Sequence, residues 1–222
     1  MVKICVFDVN ETLLDLKVLD PEFDRVFNVQ GVRKEWFSQF IQSALVATIT
    51  DNYRPFGQIG AAAFDMTVAR HKITVSDQDK KAILGKLVAL PPHPEVQASL
   101  QKLKQAGYQI AALTNSTFEV AEKQLQFAGI LEYFDKVLSA DAVQRFKPSL
   151  EPYLMAAEAF GVNISEIYLI AAHAWDITGA THAGCKTAFV ARPGAVINPL
   201  TAPPTIIGNN ISDVVEQLIK KQ

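Results

Sequence analysis

The chain has 222 residues, of which 49% are apolar and 20% are charged, a composition typical of a globular protein rather than of a disordered or fibrous one. Its 21 Lys and Arg residues are balanced by 23 Asp and Glu residues, so it lacks the basic excess that binding to nucleic acid or anionic lipid requires. We therefore expect neither nucleic acid nor a membrane as a partner.

The cysteines and the N-terminal segment bear on cellular location. Cys5 and Cys185 have no C-x-x-C or His-rich neighbourhood of the kind that forms a zinc site. The apolar stretch at residues 4–7 is too short for a signal peptide, and no run of 18 apolar residues could form a membrane span. These features favour a soluble, cytoplasmic protein in a reducing compartment.

Short β-branched runs alternate with amphipathic, helix-length segments, which is typical of a parallel sheet with crossover helices. The predicted strands are residues 3–8, 109–114, 136–139, 167–171, 187–191 and 205–207. The clearest helices are residues 95–106, residues 116 or 117 to 127, and residues 150–160, each followed by a glycine within two residues. The pattern predicts an α/β fold with a Rossmann-like parallel sheet.

The segment between the first two strands contains no convincing strand. Residues 34–49 carry apolar side chains on one helical face, and Ser76 is a good N-cap for a further helix. Consecutive prolines at residues 91–92 stop a helix and mark the return to the sheet. We therefore predict a helical cap of residues 15–90 inserted into a core of residues 1–14 and 91–222.

Ligands of open parallel sheets bind beyond the carboxyl ends of the strands. Asp8 ends the first predicted strand, and Thr114 and Asn115 follow the second. Lys147 precedes a helix, and Asp176 lies five residues beyond the strand that ends at residue 171. Two carboxylates, an ammonium and several neutral polar groups are thus expected in one crevice.

Four motifs carry a resemblance to a known family. They are Asp8-Val9-Asn10-Glu11-Thr12, Leu113-Thr114-Asn115-Ser116, Phe146-Lys147-Pro148 with Tyr153, and the segment from Ala171 to Ala180 that includes His173, Trp175 and Asp176. In this order, with a helical insertion after the first, they resemble the motifs of the haloacid dehalogenase superfamily of hydrolases, and within it the 2-haloacid dehalogenases. The resemblance covers nearly the whole chain.

The resemblance implies that Asp8 is a nucleophile that displaces halide from a small 2-haloacid and forms an ester, which water then hydrolyses. Lys147 would keep Asp8 ionised, and Asp176 would orient Lys147 or help to activate water. The remaining implied contacts with the substrate or the intermediate come from Thr12, Thr114, Asn115, Asn10 and Tyr153. No cofactor is implied, and a homodimer is expected as in the resembled family.

A phosphatase is the principal alternative, because most of the superfamily are phosphatases. Their second Asp, two residues after the nucleophile, protonates the leaving alcohol; Asn10 stands at that position and its amide cannot do so. Their magnesium site uses a Gly-Asp pair that is Ala171-Ala172 here. We therefore prefer the dehalogenase and expect no metal, and a degenerate hydrolase that serves as a binding module is a further alternative.

The match to the 2-haloacid dehalogenases departs at two places. The family's halide-binding Arg falls at Phe37, with Arg33 and Arg54 as candidate substitutes. His173 stands where the family more often has Asn, and it could act as an acid, a base, a halide donor or a structural group. Trp36, Phe37 and Trp175 are the expected walls of an apolar pocket, because each neighbours a motif position.

Overall fold

The computed structural model describes residues 4–221, and one sheet of six parallel strands forms its centre. The strands are β1 (Ile4–Phe7), β2 (Gln109–Thr114), β3 (Lys136–Ser139), β4 (Ile167–Ala171), β5 (Lys186–Val190) and β6 (Ile206–Gly208). Their order across the sheet is β3-β2-β1-β4-β5-β6, with every neighbouring pair parallel. The predicted α/β fold is confirmed, and β1 lies at its centre between β2 and β4.

The predicted bounds of β2, β3 and β4 are confirmed, whereas those of β5 and β6 were wrong by one residue. The ends of strands fray, so a sequence pattern locates them only to within a residue or two. Asp8 lies just beyond β1, although its N–H still donates to the carbonyl of Ile170 at 3.0 Å. The prediction for Lys3 lies outside the described residues.

Helices connect the strands and fill the segment before β2. They are α1 (Asp20–Phe27), α2 (Val32–Ile49), α3 (Phe56–His71), α4 (Asp77–Gly85), α5 (Val96–Gln105), α6 (Phe118–Phe127), α7 (Leu150–Phe160), α8 (Ala174–Ala183) and α9 (Ile211–Lys220). The hydroxyl of Ser76 accepts the N–H of Asp79, which confirms the predicted N-cap of α4. Helix α2 begins two residues earlier than predicted, and α5 is one residue shorter at each end. No helix in the described residues is long and apolar enough to cross a bilayer.

Both faces of β1 are covered, which is why its sequence is continuously apolar. Ile4 and Val6 belong to one buried cluster, and Cys5 and Phe7 belong to the other, as the alternation of side chains along a strand requires. All four side chains are fully buried. Asp8 therefore emerges from the most rigidly packed part of the sheet.

Helices α1 to α4 pack on the carboxyl side of the sheet. The hydroxyl of Thr48, near the end of α2, accepts the N–H of Phe146 at 3.1 Å. The carbonyl of Leu87, just after α4, accepts the side-chain N–H of Gln124 on α6 at 2.6 Å. These bonds hold the helices over the loops that follow β2 and β3, where the candidate site lies.

Candidate active site

Both carboxylate oxygens of Asp8 accept hydrogen bonds from buried side chains. The ammonium of Lys147 lies 2.9 Å from Oδ1, and the hydroxyl of Thr12 lies 2.7 Å from Oδ2. The same hydroxyl oxygen accepts the N–H of Ala172 at 2.9 Å, so Thr12 links Asp8 to the loop after β4. The strand ends thus converge on Asp8, as the sequence predicts.

Lys147 also contacts a second carboxylate. Its Nζ lies 2.5 Å from Oδ2 of Asp176, whose Oδ1 accepts the hydroxyl of Tyr153 at 2.7 Å. Lys147 and Asp176 are only 1% and 0% exposed. The result is a solvent-excluded cluster of two carboxylates about one ammonium, in which Tyr153 fixes the orientation of Asp176.

The cluster shifts the pKa values of its members in different directions. Burial favours the neutral form of Asp8, but the charge of Lys147 and the hydrogen bonds from Thr12 and Lys147 act with the other nearby groups to hold the pKa of Asp8 below its ordinary value. Burial raises the pKa of Asp176, and repulsion by Asp8 adds to this. Burial opposes the charge of Lys147, yet Asp176 and Asp8 together raise its pKa above the ordinary value. Asp8 is accordingly the ionised carboxylate beside a stable cation.

Asn115 holds the backbone from which Lys147 projects. Its Oδ1 accepts the N–H of Lys147 at 2.9 Å, and its Nδ2 donates to the Lys147 carbonyl at 3.4 Å. Thr114 accepts the N–H of Ser116 at 3.1 Å, which shapes the turn after β2. Both residues therefore orient the loops around Asp8 through bonds to the backbone.

Gly179 allows α8 to pack directly against the loop that carries Lys147. A Cβ at this position would lie 2.4 Å from Cβ of Pro148, 2.6 Å from its carbonyl oxygen and 2.7 Å from the hydroxyl of Tyr153. Real Cβ atoms do not approach so closely, and two of these neighbours belong to a rigid proline. The glycine in the fourth motif thus sets the separation between Asp176 and Lys147.

His173 lies beside Asp8. Its Nε2 is 3.6 Å from Oδ2 of Asp8 and 3.1 Å from the carbonyl oxygen of Asn10. A carbonyl only accepts hydrogen bonds, so Nε2 carries a proton in this arrangement. The ring stacks on Trp175 with centroids 5.0 Å apart and lies 5.7 Å from the ring of Phe37.

A small cavity of about 10 Å³, here called the reaction cavity, is lined by Asp8. Its lining consists of Asp8, Asn10, Phe37, Ile41, Phe56, Thr114, Asn115, His173 and Trp175. Of the twelve site residues predicted from the sequence, seven line this cavity, Asp8 included. The cavity combines one carboxylate with neutral polar groups and aromatic rings, the arrangement expected for a small apolar substrate with a polar reacting end.

Two residues predicted to contact the substrate lie elsewhere. Trp36 is fully buried among aromatic rings of the helical segment, and its indole N–H donates to the carbonyl of Gly60 at 3.0 Å. It does not line the reaction cavity, so the expectation that it forms a pocket wall is corrected. Tyr153 is likewise 1% exposed behind Asp176 and orients that carboxylate instead of meeting a substrate.

Neither candidate arginine faces the reaction cavity. Arg33 is buried, and it donates to Glu11 at 3.0 Å and to Asp20. Arg54 is exposed, and its guanidinium donates to the carbonyl of Tyr53. Within residues 4–221, no arginine lines the reaction cavity in place of the one that the resembled family has at position 37.

Sequence reasoning missed two residues that support the site. Glu11 has a φ of 60°, an uncommon conformation for a residue other than glycine, and its carboxylate lies 3.0 Å from Arg33 and 3.9 Å from Nε2 of His173. Gln124 donates to Oδ1 of Asn10 at 3.1 Å from helix α6. The position of Glu11 inside the first motif was the only available indication of its importance, and nothing in the sequence marks Gln124.

Within residues 4–221, no group of three or more His, Cys, Asp and Glu side chains is placed to hold a metal ion. The two oxygens of Asp8 are instead occupied by Lys147 and Thr12. The cation that faces Oδ1 of Asp8 in this structure is the ammonium of Lys147.

Comparison with known proteins agrees with this geometry. A family model described as haloacid dehalogenase-like hydrolase matches residues 2–184. An (S)-2-haloacid dehalogenase of Pseudomonas sp. (strain YL) is 27% identical over 217 residues, which cover 97% of this chain and 94% of that protein. The crystal structure of an L-2-haloacid dehalogenase superposes with a TM-score of 0.94 at 25% identity and covers 98% of both chains. The fold also matches an L-2-haloacid dehalogenase of Xanthobacter autotrophicus with chloropropionic acid covalently bound, at a TM-score of 0.90, 20% identity and 98% coverage of both chains.

Proposed function

Because this chain belongs to the haloacid dehalogenase-like hydrolases, we propose that it hydrolyses a small 2-haloalkanoic acid to the corresponding 2-hydroxy acid. The observation that carries the proposal is the buried contact between Asp8 and Lys147, with an amide at position 10 and an alanine at position 172. An ionised carboxylate beside a cation suits attack on carbon, whereas phosphoryl transfer needs the acid and the metal ligand that these two positions lack.

In the first step, an oxygen of Asp8 donates an electron pair to C2 of the acid and forms an ester. The carbon–halogen bond breaks at the same time, and its electron pair leaves with the halide. Lys147 and Thr12 hold the carboxylate still, so the reacting atoms meet without the entropic cost of free collision. Exclusion of water around Asp8 keeps its oxygens poorly solvated and therefore reactive.

In the second step, water adds to the side-chain carbonyl carbon of the Asp8 ester, and the acyl–oxygen bond breaks. One proton of this water passes to the departing oxygen at C2, and the other is released as the Asp8 carboxylate forms again. The 2-hydroxy acid leaves with the original Asp8 oxygen, and the Asp8 carboxylate gains an oxygen from water. The ammonium of Lys147 is placed to stabilise the oxyanion that forms on the ester carbonyl. Asp176 acts as a positioning residue, because it orients Lys147 through a contact of 2.5 Å.

We assign the polar groups around Asp8 to the two ends of the substrate. Thr114 and Asn115 line the reaction cavity and would orient the carboxylate of the acid. His173, whose Nε2 carries a proton 3.6 Å from Asp8, would donate to the leaving halide in place of the absent arginine. Phe37 and Trp175 would enclose the apolar carbon atoms.

We also propose the domain and assembly assignments that go with this function. Residues 15–90 would act as a cap that closes over a core of residues 1–14 and 91–222. The enzyme would be a cytoplasmic homodimer like the resembled family; its free cysteines, Cys5 and Cys185, are consistent with a reducing compartment. Light scattering on the purified protein tests the dimer.

The experiment that tests the function measures halide and phosphate release by the purified protein. The panel contains 2-fluoro-, 2-chloro- and 2-bromopropanoate and small phosphate esters, each with and without a chelator. Equimolar halide and 2-hydroxy acid, unaffected by chelation, support the proposal. Magnesium-dependent release of phosphate would favour the phosphatase, and release of neither product would favour a binding protein.

A further inference from the structure

A second cavity of about 350 Å³ adjoins the reaction cavity. Its lining is mostly apolar and includes Leu16, Phe40, Leu87 and Val120, which belong to the helical segment and to α6. We call it the apolar cavity. Three residues line both this cavity and the reaction cavity, namely Asn10, Phe37 and Phe56. The two spaces are therefore neighbours that share these three residues.

The side chain of Asn10 is held at this boundary by Gln124. The Nε2 of Gln124 donates to Oδ1 of Asn10 at 3.1 Å and to the carbonyl of Leu87 at 2.6 Å, and Gln124 is only 1% exposed. These hydrogen bonds restrain the side chains of both Gln124 and Asn10. The boundary consists of a short amide restrained by a buried partner and of two aromatic rings.

A third cavity, of about 320 Å³, is lined in part by charged side chains, which the described lining of the apolar cavity lacks. Its lining includes Glu11, Lys17, Lys34, His93 and Arg192, and it shares Phe37 and His173 with the reaction cavity. Charged groups suit this third cavity, because an ion in the apolar cavity would meet no charged partner among the described residues that line it. The hydrocarbon substituent of a substrate therefore suits the apolar cavity, while its carboxylate stays with Thr114 and Asn115 in the reaction cavity.

We propose that the apolar cavity receives the hydrocarbon substituent at C2, and that the preferred substrates are 2-haloacids with an unbranched chain of several carbons beyond C2. This inference rests on the proposed function and specifies its substrate class. The reaction cavity, at about 10 Å³, has no room for such a chain, whereas the apolar cavity has the volume of an ordinary ligand site.

Turnover of a series of acids tests the proposal. The kcat/KM values for 2-bromopropanoate, 2-bromobutanoate and 2-bromohexanoate should rise about fourfold for each added methylene, the gain expected when one CH₂ leaves water for an apolar site. Values that fall steadily with chain length would overturn the proposal.

Substitutions inside the cavity sharpen the test. Val120→Phe should lower the ratio of kcat/KM for 2-bromohexanoate to that for 2-bromopropanoate by about tenfold or more, because the added ring occupies the space of the chain. Gly57→Leu is an independent filler, since a Cβ there meets no atom within 4 Å and Gly57 also lines the cavity. Val29→Phe is the matched control at an exposed valine and should leave the ratio unchanged. An unchanged ratio in both cavity variants would contradict the proposal.

Binding of products separates this inference from the proposed function. The dissociation constants of lactate, 2-hydroxybutanoate and 2-hydroxyhexanoate for the unmodified protein, measured by calorimetry, should fall by about the same factor per methylene without any turnover. Equal constants, or no binding, would overturn the inference even if the short haloacids are hydrolysed. Failure to hydrolyse any haloacid would count against the proposed function alone, because the binding series still tests the cavity.

Discussion

The ammonium nitrogen of Lys147 lies 2.9 Å from Oδ1 of Asp8, and neither side chain has more than a few per cent of its surface in contact with solvent. Oδ2 of Asp176 lies 2.5 Å from the same ammonium nitrogen. The cluster carries one more negative than positive charge when both carboxyls are ionised. Its charge balance therefore affects stability as well as reactivity.

We expect Lys147→Met to abolish turnover and to lower the free energy of unfolding by about 3–5 kcal/mol, because it leaves two carboxylates buried without a cation. One of them should then bind a proton in the folded state with a raised pKa. The folded variant would take up more protons than the unfolded chain, so its stability should increase as pH falls from about 8 to about 5. Urea unfolding of the variant and the unmodified protein at both pH values measures this.

Lys104→Met is the matched control. Lys104 pairs with Asp135 at 2.6 Å, but both side chains are about one-third exposed. A surface ion pair contributes about 1 kcal/mol or less to stability, so this variant should lose little of its free energy of unfolding at either pH value. An equal loss for the two lysine variants would show that the buried cluster has no special role.

Asp8→Asn should abolish halide release but lower the free energy of unfolding by only about 1 kcal/mol, equivalent to about 2–4 °C in Tm for a chain of this length, because the favourable charge of Asp8 beside Lys147 is lost. The substitution leaves Lys147 paired one-to-one with Asp176 and removes the repulsion that raises the pKa of Asp176. Thermal unfolding at neutral pH measures it, with the exposed Asp65→Asn as control. A loss of several kcal/mol would show that Asp8 is needed for packing.

His173→Asn should lower kcat/KM by about a hundredfold if the imidazole donates to the leaving halide, as for other donors aimed at developing negative charge. The loss should be larger for 2-chloropropanoate than for 2-bromopropanoate, because the poorer leaving group depends more on the donor. Rates for both acids measure this selectivity. An identical loss for the two halides would assign His173 to positioning through its bond to Asn10.

Gly179→Ala should destabilise the fold by about 1–3 kcal/mol and reduce kcat, because the new methyl group must displace Pro148 and the hydroxyl of Tyr153. Gly85→Ala is the control, since its Cβ would meet no atom within 4 Å. That substitution should be neutral or stabilising, as in other helices. Crystal structures of both variants should show a wider separation of Asp176 and Lys147 only in Gly179→Ala.

Much of the fold follows from the sequence because its central strands are uninterrupted apolar runs bounded by turn residues. Parallel strands end at one edge, so Asp8, Asn115 and Asp176 were predicted to meet before any distance was known. This reasoning needs only the order and the ends of the strands.

Other parts of the site depend on tertiary packing that no spacing reveals. Trp36 and Phe37 are adjacent in sequence, but successive side chains on a helix point about 100° apart, so one enters the helical core and the other lines the reaction cavity. Gln124 contacts Asn10 across 114 positions of sequence, which only the folded chain brings together. The orientation of Arg33 likewise depends on its ion pairs with Glu11 and Asp20, which the sequence does not reveal.

The most direct test of the account is a single turnover in oxygen-18 water with enzyme in excess over 2-bromopropanoate, followed by mass spectrometry of the lactate and of the peptide that contains Asp8. If Asp8 attacks C2 and water then attacks the ester carbonyl, the lactate contains unlabelled oxygen at C2 and the Asp8 carboxylate gains one labelled oxygen. Labelled lactate with an unlabelled Asp8 after one turnover would mean that water attacks C2 directly, and it would contradict the assignment of Asp8 as the nucleophile.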